Sequence, residues 1–250
     1  MPLHESTAVT IKSIRLGEAD RIVTLFTERY GKIKAVAKGA LKPKSRFGGR
    51  LEPFVHGRII FYGKEKAELF QLNTFDVIEP FLPIRDDLDK MSHAFVSAEL
   101  CDYCQKERDV NREGLRMLLG FWRALSAESN GARQDLLLRL FEFKYLSLIG
   151  FMPRLSHCVN CGKEPAQAAA GFNARKGGVV CADCVKSDNG AIRVSLGSVK
   201  LLGKSLETPM EKLSRLAAGP ALMDDVERMV HEMVETHVRR RMKSERFLRM

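Results

Sequence analysis

The sequence predicts an α+β chain of two domains: an OB-fold β-barrel over residues 1–80, then a helical domain over residues 81–250 with an inserted four-cysteine zinc loop at 157–186. Three observations predict it. Apolar residues recur at strand-like spacing as far as Ile78 and at helix-like spacing after Pro80 and Pro83. Gly and Pro punctuate the first part about every ten residues, as turns between short strands require. Two Cys-x-x-Cys pairs then stand nineteen residues apart.

Five strands are expected, near Val9–Leu16, Arg21–Thr27, Lys32–Lys38, Phe54–Tyr62 and Glu68–Ile78. Turn-prone segments join them, such as Glu28-Arg29-Tyr30-Gly31. In the first strand the apolar parity changes between Ile11 and Ile14, the mark of a bulge near Lys12 and Ser13. Five strands in about seventy residues, with a long connection between the third and fourth, outline an OB-fold. A small SH3-like barrel satisfies the same strand count.

The net charge of +10 is concentrated at the two ends of the chain. Residues 1–80 carry 14 basic and 9 acidic side chains, residues 81–238 carry 21 of each, and residues 239–250 carry 6 and 1. Between Glu28 and Glu52 there are eight bases and no acid. Such a block repels itself unless a polyanion neutralises it, although charge runs are also found on plain solvated faces.

Alternation in the third strand places Ile33, Ala35 and Ala37 on one face and Lys32, Lys34 and Lys38 on the other, so these lysines are expected to face solvent together. They lead into a Gly- and Pro-rich loop carrying Lys42, Lys44, Arg46, Phe47 and Arg50. Cations on a barrel face and its loop can follow a phosphate backbone, and Phe47 can either stack on a base or anchor the loop in the core.

Beyond the prolines, Asp87–Glu107 is expected to be a helix burying Leu88, Met91, Phe95, Ala98 and Tyr103. Further helices are expected at Arg112–Ala127, Gln134–Ile149, Val199–Leu206 and Met223–Met242, with Leu136, Leu140, Phe143 and Leu146 in the core. The acidic pairs Asp86-Asp87 and Asp224-Asp225 lie at expected helix starts, where negative charge complements the helix dipole.

Cys158, Cys161, Cys181 and Cys184 have the spacing of a tetrahedral zinc site, each pair reaching one ion and a hairpin bringing the pairs together. Four thiolates close the coordination sphere, so the zinc is expected to be structural. His157 is expected to be a neighbour rather than a ligand. Cys101 and Cys104 fall inside an expected helix and are read as buried small apolar residues.

The 45% hydrophobic content of the 250 residues excludes a disordered chain, and no apolar run reaches the length of a membrane span. Met1–Val9 has no signal-peptide pattern, and cysteines confined to Cys-x-x-Cys pairs suit a reducing compartment, so a cytoplasmic protein is expected. There is no Gly-x-x-x-x-Gly-Lys-[Ser/Thr] phosphate loop, no Gly-x-Ser-x-Gly elbow and no carboxylate cluster for paired metals, so a non-enzymatic role is expected. An RNA-binding OB protein accounts for the basic block equally well, and a zinc-ribbon scaffold for protein partners accounts for the cysteines and helices.

Three stretches carry a family resemblance: Ala37-Lys38-Gly39-Ala40 through Phe47 with Leu51-Glu52-Pro53-Phe54; Phe141-Glu142 through Gly150-Phe151-Met152-Pro153-Arg154-Leu155 before Cys158; and Arg241-Met242-Lys243-Ser244. Together with the order of domains they resemble the bacterial recombination mediator RecO family over nearly the whole chain. The resemblance implies DNA repair and recombination without catalysis: binding of single- and double-stranded DNA, annealing of strands coated with single-strand binding protein (SSB), and loading of RecA together with RecR. It implies DNA contacts on Lys34, Lys38, Lys42, Lys44, Arg46 and Arg50, zinc on the four cysteines, a site in the helical domain for the SSB C-terminal tail, and a cytoplasmic, nucleoid-associated location when bound to DNA.

Overall fold

A computed structural model describes residues 2–64, 67–165, 169–238 and 240–248. The chain divides into two compact units, Met1–Trp122 with Ser244–Met250, and Arg123–Lys243.

The first unit opens with five strands, β1 (Leu3–Leu16), β2 (Asp20–Thr27), β3 (Gly31–Ala37), β4 (His56–Tyr62) and β5 (Phe70–Glu79). They close a barrel in the order β1-β2-β3-β5-β4, antiparallel except for β3 with β5. That order is the OB-fold and decides against the SH3-like alternative. The expected bulge is present: the β1–β2 register slips between Thr10 and Lys12, leaving Ile11 as the extra residue. The bend lets the first half of β1 pair with β4 and the second half with β2, which closes the barrel.

Inward-facing Val23, Leu25, Ile33, Ala35, Ala37, Ile59, Phe61, Leu72 and Phe75 fill the interior. Phe47 and Leu51, from the β3–β4 connection, join them. The segment after β5 continues with a single helical turn, α1 (Leu82–Arg85), then α2 (Leu88–Cys104) and α3 (Arg112–Ala127), whose start lies in this unit. Asp87 caps α2, its carboxylate accepting from the Asp89 and Lys90 amides, as the sequence predicts. An aromatic cluster ties these helices to the barrel: Phe54 meets Phe95 edge-on at 4.7 Å and Trp122 at 5.4 Å, and Phe81 meets Trp122 at 5.4 Å.

The expected buried face of α2 is corrected in part. Ala98 is buried as expected, but Leu88 is 78% exposed and Phe95 is partly exposed, while Ala94, Ser97 and Cys101 complete the buried face. Small side chains allow close approach, and Ser97 Oγ accepts a 3.0 Å hydrogen bond from the Trp122 indole. Cys101 is fully buried, and burial pushes the Cys104 thiol up to about 11.

The second unit contains α4 (Gly131–Leu146), whose Leu136, Leu140, Phe143 and Leu146 are all buried, followed by α5 (Leu196–Glu207) and α6 (Pro220–Val238). Between α4 and α5 lies a three-stranded sheet in the order β7-β6-β8, formed by β6 (Ala169–Asn173), β7 (Gly178–Val180) and β8 (Ile192–Ser195). The β6–β7 hairpin is the one the cysteine spacing requires, whereas β8 has no strong pattern in the sequence. Asp225 does not cap α6. It lies in the second turn and accepts from the Ser195 amide at 2.7 Å, bracing the start of α5. Among the described residues, no helix is long and apolar enough to cross a membrane.

Candidate nucleic-acid interface and metal centre

Cys158 and Cys161 lie on a tight turn closed by the Gly162 amide donating to Cys158 O at 2.9 Å, and the Val159 amide bonds Val179 O in β7. Cys181 directly follows β7, and Cys184 begins a single 3-10 turn, so the hairpin brings the two pairs together. All four Sγ atoms lie within 4.8 Å of one another, with Cys161 and Cys181 Sγ 3.7 Å apart. A tetrahedral site with metal–sulfur bonds of about 2.3 Å has sulfur–sulfur edges of about 3.8 Å, so the donor set fits such an ion. His157 is not part of the cluster; its Nδ1 bonds Ser156 Oγ.

The thiols are electrostatically unequal. Burial raises Cys158, but the backbone N–H groups of Cys181, Cys161 and Asn160 face its sulfur and outweigh burial, drawing it down to about 6. Hydrogen bonds with the Cys181 and Cys161 sulfurs push Cys184 up to about 12. Four adjacent sulfurs cannot all ionise without a cation, and a divalent ion removes that conflict.

The barrel's basic side chains separate into two groups. Lys34, Lys38, Lys42, Lys44, Arg46 and Arg50 are exposed. Among the described residues, Lys38, Lys42, Lys44, Arg46 and Arg50 have no ion-pair partner. The β3–β4 connection, which carries all five, is held at its start by the Gly39 amide on Asp20 Oδ1 (2.7 Å) and the Leu41 amide on Ala19 O (2.8 Å), which tie it to the β1–β2 turn and the first residue of β2.

Two expected contacts are corrected. Lys32 is 8% exposed: its ammonium donates to both the backbone and the carboxylate of Asp102, 3.0 Å from Oδ1. The segment after α2 covers this end of β3, with the Arg108 amide donating to Lys32 O at 2.9 Å, so Lys32 cannot reach a phosphate in this arrangement. Gly31 permits the approach: at φ +62° it lies where a Cβ would come within 2.2 Å of Asp109 O. Phe47 is 1% exposed inside the barrel, so it anchors the loop and offers no face to a base; Arg46 covers its ring at 5.1 Å.

The two halves of the chain match separate family models, recombination protein O N terminal over residues 1–81 and recombination protein O C terminal over residues 85–246. The chain belongs to the recombination protein O family. It is 33% identical over 99% of its length to the DNA repair protein RecO of Symbiobacterium thermophilum, covering 97% of that chain. It is 32% identical over 89% of its length to that of Acetivibrio thermocellus (86% of that chain) and 33% over 98% to that of Roseiflexus sp. (85% of that chain).

On the barrel, the sequence pattern does not single out Lys12 and Arg15, which are also exposed. Lys12 pairs with Thr24, which pairs with Lys34, so the two exposed lysines belong to one cross-strand row on the outer face. Arg15 is exposed opposite Arg21, and Arg21 is occupied by Glu52 at 2.9 Å and Ser13 at 2.9 Å. The signal was the bulge, which resets the parity of β1 beyond Ile11. The C-terminal basic cluster is described for residues 240–248, with Arg239 and Arg249 outside the described residues. Its turn, Ser244–Phe247, is fixed to α2 by the Ser244 amide and hydroxyl donating to Glu99 Oε2, the amide at 2.8 Å.

Proposed function

We propose that the chain is a non-enzymatic DNA repair and recombination protein of the cytoplasm. It binds single- and double-stranded DNA through its barrel, anneals complementary strands, and with RecR helps load RecA on DNA coated with SSB, whose C-terminal tail it binds. The observation that carries the reading is the set of exposed cations at Lys38, Lys42, Lys44, Arg46 and Arg50, which have no ion-pair partner among the described residues of an OB-fold barrel. Family membership and the relatives' name, DNA repair protein RecO, support it.

The mechanism is electrostatic. Cations that neutralise phosphates release condensed counterions and remove the repulsion between two backbones, and base pairing then drives annealing without ATP. Zn2+ on Cys158, Cys161, Cys181 and Cys184 has a structural role, since four thiolates leave no open position for water.

The test is annealing of complementary strands precoated with SSB from the same source, across a salt series and without ATP. Salt-sensitive acceleration is expected. No acceleration by folded, metal-loaded protein would overturn the mediator reading.

A further inference from the structure

Asp188 lies four residues beyond Cys184, and its side chain is 3% exposed. A buried carboxylate is costly unless every lone pair finds a donor, and here four donors converge on it. Oδ2 accepts from Asn160 Nδ2 at 2.8 Å and Lys176 Nζ at 2.8 Å. Oδ1 accepts from Asn173 Nδ2 at 2.9 Å and the Gly190 amide at 3.2 Å. Lys176 Nζ also donates to Asn160 Oδ1 at 2.9 Å, closing a ring of three side chains.

The donors come from separate pieces of the cysteine loop. Asn160 sits between the first two cysteines, Asn173 ends β6, Lys176 lies in the β6–β7 turn, and Asp188 follows the second pair. The ring therefore joins both cysteine turns to the hairpin between them. Asn160 stands between Cys158 and Cys161, so a side chain that fixes Asn160 also fixes the turn that presents both thiols.

We propose that Asp188 is a positioning residue for the metal centre: through Asn160 it holds the turn that presents Cys158 and Cys161, and it locks the first cysteine turn to the second so that the loop retains its ion. The inference rests on reading the four cysteines as a zinc site. Groups that orient metal ligands typically change metal affinity by 10- to 100-fold when removed.

The experiment uses the full-length zinc-loaded protein and the variants Asp188→Asn and Lys176→Met. Metal content is measured by mass, zinc transfer to a chromophoric chelator by absorbance, and thermal unfolding with and without zinc. Asp188→Asn is expected to lose zinc about 10- to 100-fold faster and to show a smaller zinc-dependent rise in Tm. Equal release rates, or equal destabilisation of the zinc-loaded and zinc-free proteins, would overturn the proposal and leave Asp188 a plain structural residue. If Asp188→Asn does not fold, Lys176→Met decides, since it removes a half-exposed partner, and a release rate unchanged from wild type overturns the proposal. A wild-type protein that holds no zinc defeats the zinc reading and the proposal together, a result distinct from zinc held equally by all three proteins.

Discussion

The Lys34 ammonium lies 2.6 Å from the Glu107 carboxylate, so an exposed lysine of the barrel's outer face carries a counterion supplied by the protein itself. The contact is mutual: the hydrogen bond to Glu107 holds Lys34 above the usual lysine range, and the same bond holds Glu107 below the usual carboxylate range. Both groups are about half exposed, so the pair is worth at most about 1 kcal/mol. A phosphate approaching Lys34 has to replace Glu107.

Glu107→Gln is therefore expected to raise affinity for single-stranded DNA by up to about fivefold and to steepen the slope of log affinity against log salt by about 0.7, one additional phosphate. Fluorescence anisotropy across a salt series measures both. An unchanged slope would mean that Lys34 never meets the nucleic acid.

If Lys38, Lys42, Lys44, Arg46 and Arg50 each neutralise one phosphate, the wild-type slope is roughly −3 to −4 for single strands. Replacing Lys38, Lys42 and Lys44 with alanine should reduce its magnitude by about 2 while leaving Tm within about a degree or two, because exposed charges contribute little to stability. A large fall in Tm with an unchanged slope would assign these lysines a structural role instead.

Phe47 shows where sequence patterns stop being informative. Alternation identified the barrel strands, and the parity change in β1 located its bulge, because both are local properties of a two-residue period. The cysteine pairs were legible for the same reason, their spacing being set by the reach of two thiolates to one ion. A loop aromatic has no period, and only packing shows that Phe47 points inward. Alternation tells which face Lys32 occupies but not what covers that face, and its partner Asp102 lies seventy residues away. Asp188 had no spacing signature at all, since its four donors are drawn from separate parts of the loop. In α2 the helical period marks large apolar residues, while the buried face is built mostly from the small Ala94, Ser97, Ala98 and Cys101.

Phe47→Ala accordingly tests the core against the interface. Removing a fully buried ring should cost about 3–5 kcal/mol in denaturant unfolding. If the variant instead keeps its stability and loses only DNA affinity, the ring leaves the barrel in solution and the stacking role returns.

Lys144 offers a similar test in the second unit. Its ammonium is buried and donates to the carbonyls of Ser205, Leu206 and Thr208 at 2.7, 3.0 and 2.9 Å, satisfying the C-terminal end of α5. Lys144→Met keeps the stem and leaves those acceptors without the charge, so a loss of about 2–3 kcal/mol is expected in urea unfolding. A neutral result would mean that water replaces the ammonium at no cost.

Asp225 makes the corresponding contact at the other end of α5, and its contribution should depend on pH. Burial raises this carboxyl, but hydrogen bonds from the Ser195 backbone and hydroxyl, Arg228 and Ser198 outweigh burial and hold it below the usual carboxylate range. A depressed folded-state pKa means that the unfolded chain takes up the proton first. The stabilisation is complete above the unfolded value of about 3.9 and is lost as pH falls through the lower folded value. Asp225→Asn removes the ionised acceptor, so the variant should be about 1–3 kcal/mol less stable than wild type at pH 7. The gap should narrow as unfolding is followed from about pH 5 down towards pH 3, where the wild type alone loses this contribution. A gap that stays constant over that range would show that Asp225 acts by shape and not by charge.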